Sequence, residues 1–152
     1  MKRFIFFIIP ALLLFASCTS RKGISEVAMQ YFPDKLSEAF SEYLGEKVTP
    51  EVSDLEVIYD CDSLCMIQCY AAVPNPSGNK ILESVRYTFA KDPFFSRVEG
   101  RPIYYHTVKG AAYFNKEEIK QFQKKMEDGG SRLFAFYLAS CEPLTPVFKQ
   151  SE

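Results

Sequence analysis

Three cysteines recur at one interval, Cys61-x3-Cys65-x3-Cys69, and a fourth, Cys141, stands far along the chain. Thiols at short spacing can hold a metal ion, pair as disulfides, or pack as small apolar groups. A metal site needs several thiolates to converge, and structural zinc sites draw close cysteine pairs from two loops. Here Cys65 and Cys69 fall in a segment that reads as a strand, where four residues span about 13 Å. A disulfide tolerates a Cα separation of at most about 7 Å. We therefore expect no metal and no Cys65–Cys69 bridge. Cys61 can face Cys65 across a turn of Asp62, Ser63 and Leu64. Cys69 can meet Cys141 if their strands are neighbours. The alternative is free buried thiols acting as small apolar residues, and residue types alone leave both readings open.

His106 is the single histidine. A Cys–His or Ser–His pair needs a nucleophile delivered to it by the fold. The chain has no G-x-S-x-G and no local catalytic-cysteine signature, so His106 reads as a strand residue without catalytic duty. Asp60 and Asp62 resemble a fragment of a Ca²⁺ loop but lack its Gly and its bidentate Glu. They read as turn formers. Phosphate-cradling glycine loops, H-E-x-x-H and C-x-x-C are absent from the sequence. Phe94-Phe95, beside Asp92-Pro93, is the candidate contact site, because exposed loop aromatics anchor partners. The same pair can instead plug the open end of a sheet.

The elements that must position these residues follow from periodicity. Ser25 is placed to cap a helix carrying Val27, Ala28 and Tyr31, which Pro33 kinks or restarts. Leu36, Ala39, Phe40, Tyr43 and Leu44 continue one apolar face, and Gly45 stops it. Leu55–Tyr59 reads as a strand, and 60–63 as a turn. Leu64–Val73 is a second strand with Cys65, Ile67, Cys69, Ala71 and Val73 on one face and Met66, Gln68 and Tyr70 on the other. After the turn at 74–79, the strand near Ile81–Ala90 points Val85, Tyr87 and Phe89 inward and Ser84, Arg86 and Thr88 outward. Residues 93–101 read as a loop, and Ile103–Val108 as a strand of mixed polarity at an edge. Asn115 and Glu118 form a capping-box pattern opening a helix that buries Ile119, Phe122 and Met126 and ends at Gly129-Gly130. The nearly continuous apolar run Leu133–Ala139 reads as a central strand.

Residues 1–18 set the address. Lys2 and Arg3 precede an apolar run from Phe4 to Phe15, too short for a span of roughly 18 or more residues but within the window of about 7–15 for a secretory leader. Phe15-Ala16-Ser17-Cys18 resembles the lipobox of bacterial lipoproteins, departing from it in Phe15, where Leu is usual. The resemblance covers the leader alone. It implies removal of residues 1–17, diacylation of Cys18 through its sulfur and acylation of the new amine. Several acyl chains anchor stably, whereas one holds only marginally. Thr19-Ser20 carries no Asp, and Arg21-Lys22 opens no acidic run. In that family this implies the periplasmic leaflet of the outer membrane, with the inner membrane or the cell surface as alternatives.

With Lys2 and Arg3 set aside, 16 basic residues face 19 acidic ones out of the chain's 18 and 19. No basic footprint for nucleic acid stands out. We expect residues 18–24 to be the lipidated cysteine and a tether, 25–143 a single α+β domain, and 144–152 a frayed tail. An antiparallel sheet of four or five strands would be covered by the N-terminal helix and a second helix near 115–128. Such a shape is similar to cystatin-like and NTF2-like folds, an analogy that transfers no function. The functional expectation is a lipid-anchored periplasmic module that binds a protein, an envelope component or a small ligand without catalysis. No cofactor beyond the covalent lipid is expected. A small envelope hydrolase around His106, or a structural subunit of an envelope complex, are the alternatives.

Overall fold

The computed structural model describes residues 23–74 and 77–144. The leader, Cys18, residues 19–22, Asn75 and Pro76 of the turn, and the tail from 145 lie outside the described residues. The chain forms helix α1 (Ser25–Leu44), strands β1 (Glu51–Asp60), β2 (Leu64–Pro74) and β3 (Lys80–Lys91), helix α2 (Pro93–Glu99), strand β4 (Tyr104–Gly110), helix α3 (Lys116–Ala139) and the short strand β5 (Glu142–Pro143). The strands make one antiparallel sheet in the order β1-β2-β3-β4-β5. The fold is a single α+β domain, as expected from the sequence.

The two long helices take opposite faces. Ala28, Phe32 and Leu36 of α1 recur every four residues. They bury against Cys65, Ile67, Cys69 and Ala71 of β2 and Val85, Tyr87 and Phe89 of β3. Ile119, Phe122 and Met126 of α3 meet Ile58, Leu64, Met66 and Ala90 on the other side. Burying each large apolar side chain contributes about 1.5–3 kcal/mol. Being covered twice, β2 is buried along most of its length.

Several expectations are corrected by this double cover. Leu133–Ala139 is helical, not a strand. Gly130 breaks the regular path at φ 50°, ψ −132°, and the helix then resumes. Leu133, Phe134, Tyr137 and Leu138 pack onto the α3-side core, a spacing of four that suits one helix face. The segment read as a loop at 93–101 contains α2, with Asp92 as N-cap, Pro93 in the first turn and Gly100 at φ 67° closing it. Arg86 and Thr88 share a face as expected, but that face is covered by α3. Thr88 is buried, and the Arg86 guanidinium lies 4.1 Å from the Phe114 ring centroid.

Helix α1 runs unbroken through Pro33. Proline removes the hydrogen bond to the carbonyl of Met29, and both residues are exposed, where water can replace it. Ser25 does not cap α1; the flanking residue is Ile24, with no side-chain cap of its own. Instead Asp60 Oδ1 accepts the Ser25 N–H at 3.2 Å. Tyr43 does not join the apolar face and is 86 % exposed. β4 is not a bare edge, since β5 pairs with Tyr105 and His106. Leu144, expected in the tail, is buried in the α1-side core and donates its N–H to Tyr104 O.

Candidate functional site

The β1–β2 turn is where the chemistry-bearing residues gather. The Cys61 N–H bonds to Leu64 O and closes the turn, and Cys61 O accepts the Ile24 N–H at 3.0 Å. Ser63 O accepts the Lys91 N–H at 2.9 Å. One turn therefore holds both the start of the described chain and the root of α2. A cavity of about 470 Å³ opens between the turn and α2, lined by Asp62, Ser63, Lys91, Ser96, Arg97 and Arg101 among others.

Helix α2 is short but firmly set. Asp92 Oδ1 accepts the N–H groups of Phe94 and Phe95, each at 2.9 Å. Ser96 Oγ accepts the Ile103 N–H at 2.9 Å, and the Asp92 N–H reaches Ile103 O at 2.9 Å. These bonds fix the orientation of an apolar face made by Phe94, Phe95 and Val98. All three are exposed, at 67 %, 50 % and 65 %. The two phenyl rings meet edge to face, with centroids 5.4 Å apart, so the pair does not plug the sheet. Sequence reasoning found Phe94 and Phe95 but missed Val98, Arg97 and Arg101. The missed signal was Asp92-Pro93 followed by Gly100, which spells cap, first turn and stop. Once the segment is helical, 94, 95 and 98 fall on one side.

The four described cysteines are free thiols, and neither expected pair is brought together. Cys65 belongs to the α1-side core and Cys61 packs against the α3-side core. Cys69 on β2 and Cys141 next to β5 are separated by β3 and β4, so their strands are not neighbours. Burial pushes the Cys65 thiol up to about 12, with Asp60 and Cys61 adding to the shift. Burial alone raises Cys69 to about 11. Cys141 rises to about 11, again through burial, partly opposed by a hydrogen bond with Ser140 and by Lys109. A thiol that stays protonated is a poor nucleophile and a poor metal ligand. Among the described residues no group of three or more His, Cys, Asp or Glu side chains is placed to hold a metal.

His106 lies on β4 between Phe89 of β3 and Glu142 of β5. Its ring centroid is 6.1 Å from that of Tyr87. Both its Nδ1 and the Tyr87 hydroxyl are buried without a hydrogen-bond partner. Burial lowers the His106 pKa and Lys35 lowers it further, against the opposing pull of Glu142 and Glu38. The imidazole thus sits with a phenol and charged neighbours, and no hydroxyl or thiol is bonded to its Nδ1.

A second cleft, of about 370 Å³, lies at the far end of α1. Phe40, Tyr43, Val85 and Val108 line it together with Ala39, Glu83 and Gly110. Along α1, 15 residue steps separate Phe40 from Ser25, which is bonded at the β1–β2 turn, about 22 Å at 1.5 Å per residue. No helix among the described residues is long and apolar enough to cross a membrane. Compared with known protein families, curated proteins and solved structures, the chain has no match.

Proposed function

We propose that the mature chain is a lipid-anchored module of the bacterial envelope, held through Cys18 at the periplasmic face of the outer membrane, and that it works by binding rather than catalysis. Its partner class is a protein, an envelope component or a small ligand. The observation that carries the reading is the rigid display of Phe94, Phe95 and Val98 on α2, each half-exposed or more. Apolar side chains held out in water by a capped helix suit contact with something outside the domain. The protonated thiols and the partnerless His106 Nδ1 favour binding over nucleophilic chemistry.

The test is metabolic labelling with palmitate followed by flotation of membranes. The native chain is expected to carry label and to float with the outer membrane. The Cys18→Ala chain is expected to lose the label and the mature-sized membrane band. An unlabelled native chain, or a Cys18→Ala chain equally membrane-bound at mature size, contradicts the reading.

A further inference from the structure

We infer that α2 is a membrane-docking surface. Phe94, Phe95 and Val98 insert between the headgroups of an anionic bilayer while Lys91, Arg97 and Arg101 meet the phosphates. This deepens the anchoring reading and rests on it. Three observations converge. The first is position. The backbone enters the described structure at Gly23 and Ile24, and the β1–β2 turn that binds the Ile24 N–H also binds the N–H of Lys91, one residue before the cap of α2. From Cys18 to Gly23 the chain covers five residue steps, at most about 18 Å when fully extended. A lipid on Cys18 therefore keeps this end of the domain within reach of the bilayer surface, and α2 stands at this end.

The second is shape and rigidity. The three apolar side chains project from a helix whose first turn is capped by Asp92 and whose C-terminal side is tied through Ser96 to Ile103. Phenyl groups presented this way enter the interface without first ordering a loop, as aromatic side chains in membrane-surface helices do. The third is charge. Arg97 and Arg101 are exposed and Lys91 is half-buried. Asp62, Asp92 and Glu99 equal them in number, but the Asp92 carboxylate is buried and bonded to the Phe94 and Phe95 N–H groups, which leaves the three basic groups facing only Asp62 and Glu99. Basic residues flanking an apolar wedge complement a negative surface.

The chain contains no Trp, so Phe94→Trp installs a single fluorescent reporter at an exposed position. The full mature protein, lipidated at Cys18, is reconstituted into phosphatidylethanolamine vesicles with or without phosphatidylglycerol and with doxyl-labelled lipid. The expected result is a blue-shifted emission quenched by the doxyl groups, stronger with phosphatidylglycerol. Quenching should weaken severalfold in Arg97→Glu/Arg101→Glu, with unchanged circular dichroism. Emission that stays red and unquenched while the protein floats with the vesicles overturns the docking and leaves the anchor standing. Emission that shifts only in native envelopes, and not on pure lipid, assigns the patch to a protein partner and also overturns it. If Cys18 carries no lipid, the anchoring reading fails. The docking is then judged by whether the unlipidated mature chain is quenched by excess anionic vesicles.

Discussion

The side-chain amide of Gln68 is paired to the backbone of Phe114 at both ends, donating from Nε2 to the carbonyl at 2.9 Å and accepting the N–H on Oε1 at 2.8 Å. Gln68 lies in the doubly covered strand β2 and is almost fully buried. The clamp holds the segment before α3 against the sheet, so that the Phe114 ring lies beneath Arg86 and Asn115 can open α3 with its reciprocal bonds to Glu118. Replacing Gln68 by Leu leaves both Phe114 backbone groups unpaired. Each such group costs about 1–3 kcal/mol when buried. Urea unfolding of Gln68→Leu is therefore expected to show a loss of about 2–4 kcal/mol. A loss below about 0.5 kcal/mol, the range of ordinary surface changes, would contradict the clamp.

The α1 N-terminus is capped from a distance, by Asp60 of β1 rather than by its own flanking residue. Gly23 passes so close to the Asp60 carboxylate that a side chain there would collide with it. Asp60→Ala is expected to lose about 1 kcal/mol, the ordinary worth of an N-cap carboxylate. Thermal melts check this. An unchanged midpoint would mean that the bond to Ser25 contributes nothing.

His106 makes stability depend on pH. Its folded pKa is lowered from the ordinary 6.5, first by burial and then by Lys35. Below 6.5 the unfolded chain binds the proton more readily than the folded one, so stability falls as pH drops through that region. At neutral pH and above, the group is neutral in both states and contributes no pH dependence. Urea midpoints at pH 7.5 and pH 5 are expected to differ less in His106→Gln than in the native chain. Equal differences would show that the imidazole is not held neutral.

The thiols give a further prediction. With Cys65 raised to about 12 and Cys69 and Cys141 to about 11, all three should resist alkylation by iodoacetamide near neutral pH until the protein is unfolded. Denatured without reductant, residues 23–144 should titrate as four thiols, matching the four free cysteines of the described residues. A count of two or none would reveal bridges and contradict the free thiols of the structure.

Much of this architecture is legible in the chain. The β2 and β3 alternation, the Asn115–Glu118 box and the Ile119, Phe122, Met126 spacing each name their element, because each is a local pattern with one physical solution. Leu133–Ala139 is different. A short apolar run fits a buried strand and a buried helix equally, and here Gly129-Gly130 marks a break within a helix rather than its end. The candidate site is only partly legible. Phe94 and Phe95 are visible as aromatics beside a breaker, but their exposure depends on α2, and the link to Gly23 depends on a turn 37 or more residues further along. Gln68 looks like an ordinary outward polar residue until α3 and Phe114 cover it. Of the cysteine pairings, Cys69–Cys141 assumed neighbouring strands, which β3 and β4 intervene to prevent, and Cys61–Cys65 assumed one face of the hairpin, whereas the two side chains join opposite cores.

The most direct measurement is the mass of the N-terminal peptide of the protein extracted from membranes. A chain that begins at Cys18 and carries a diacylglyceryl group on its sulfur and a fatty acyl group on its amine is the predicted result. A peptide that begins elsewhere, or a Cys18 with a bare thiol in the membrane fraction, would contradict the account at its root.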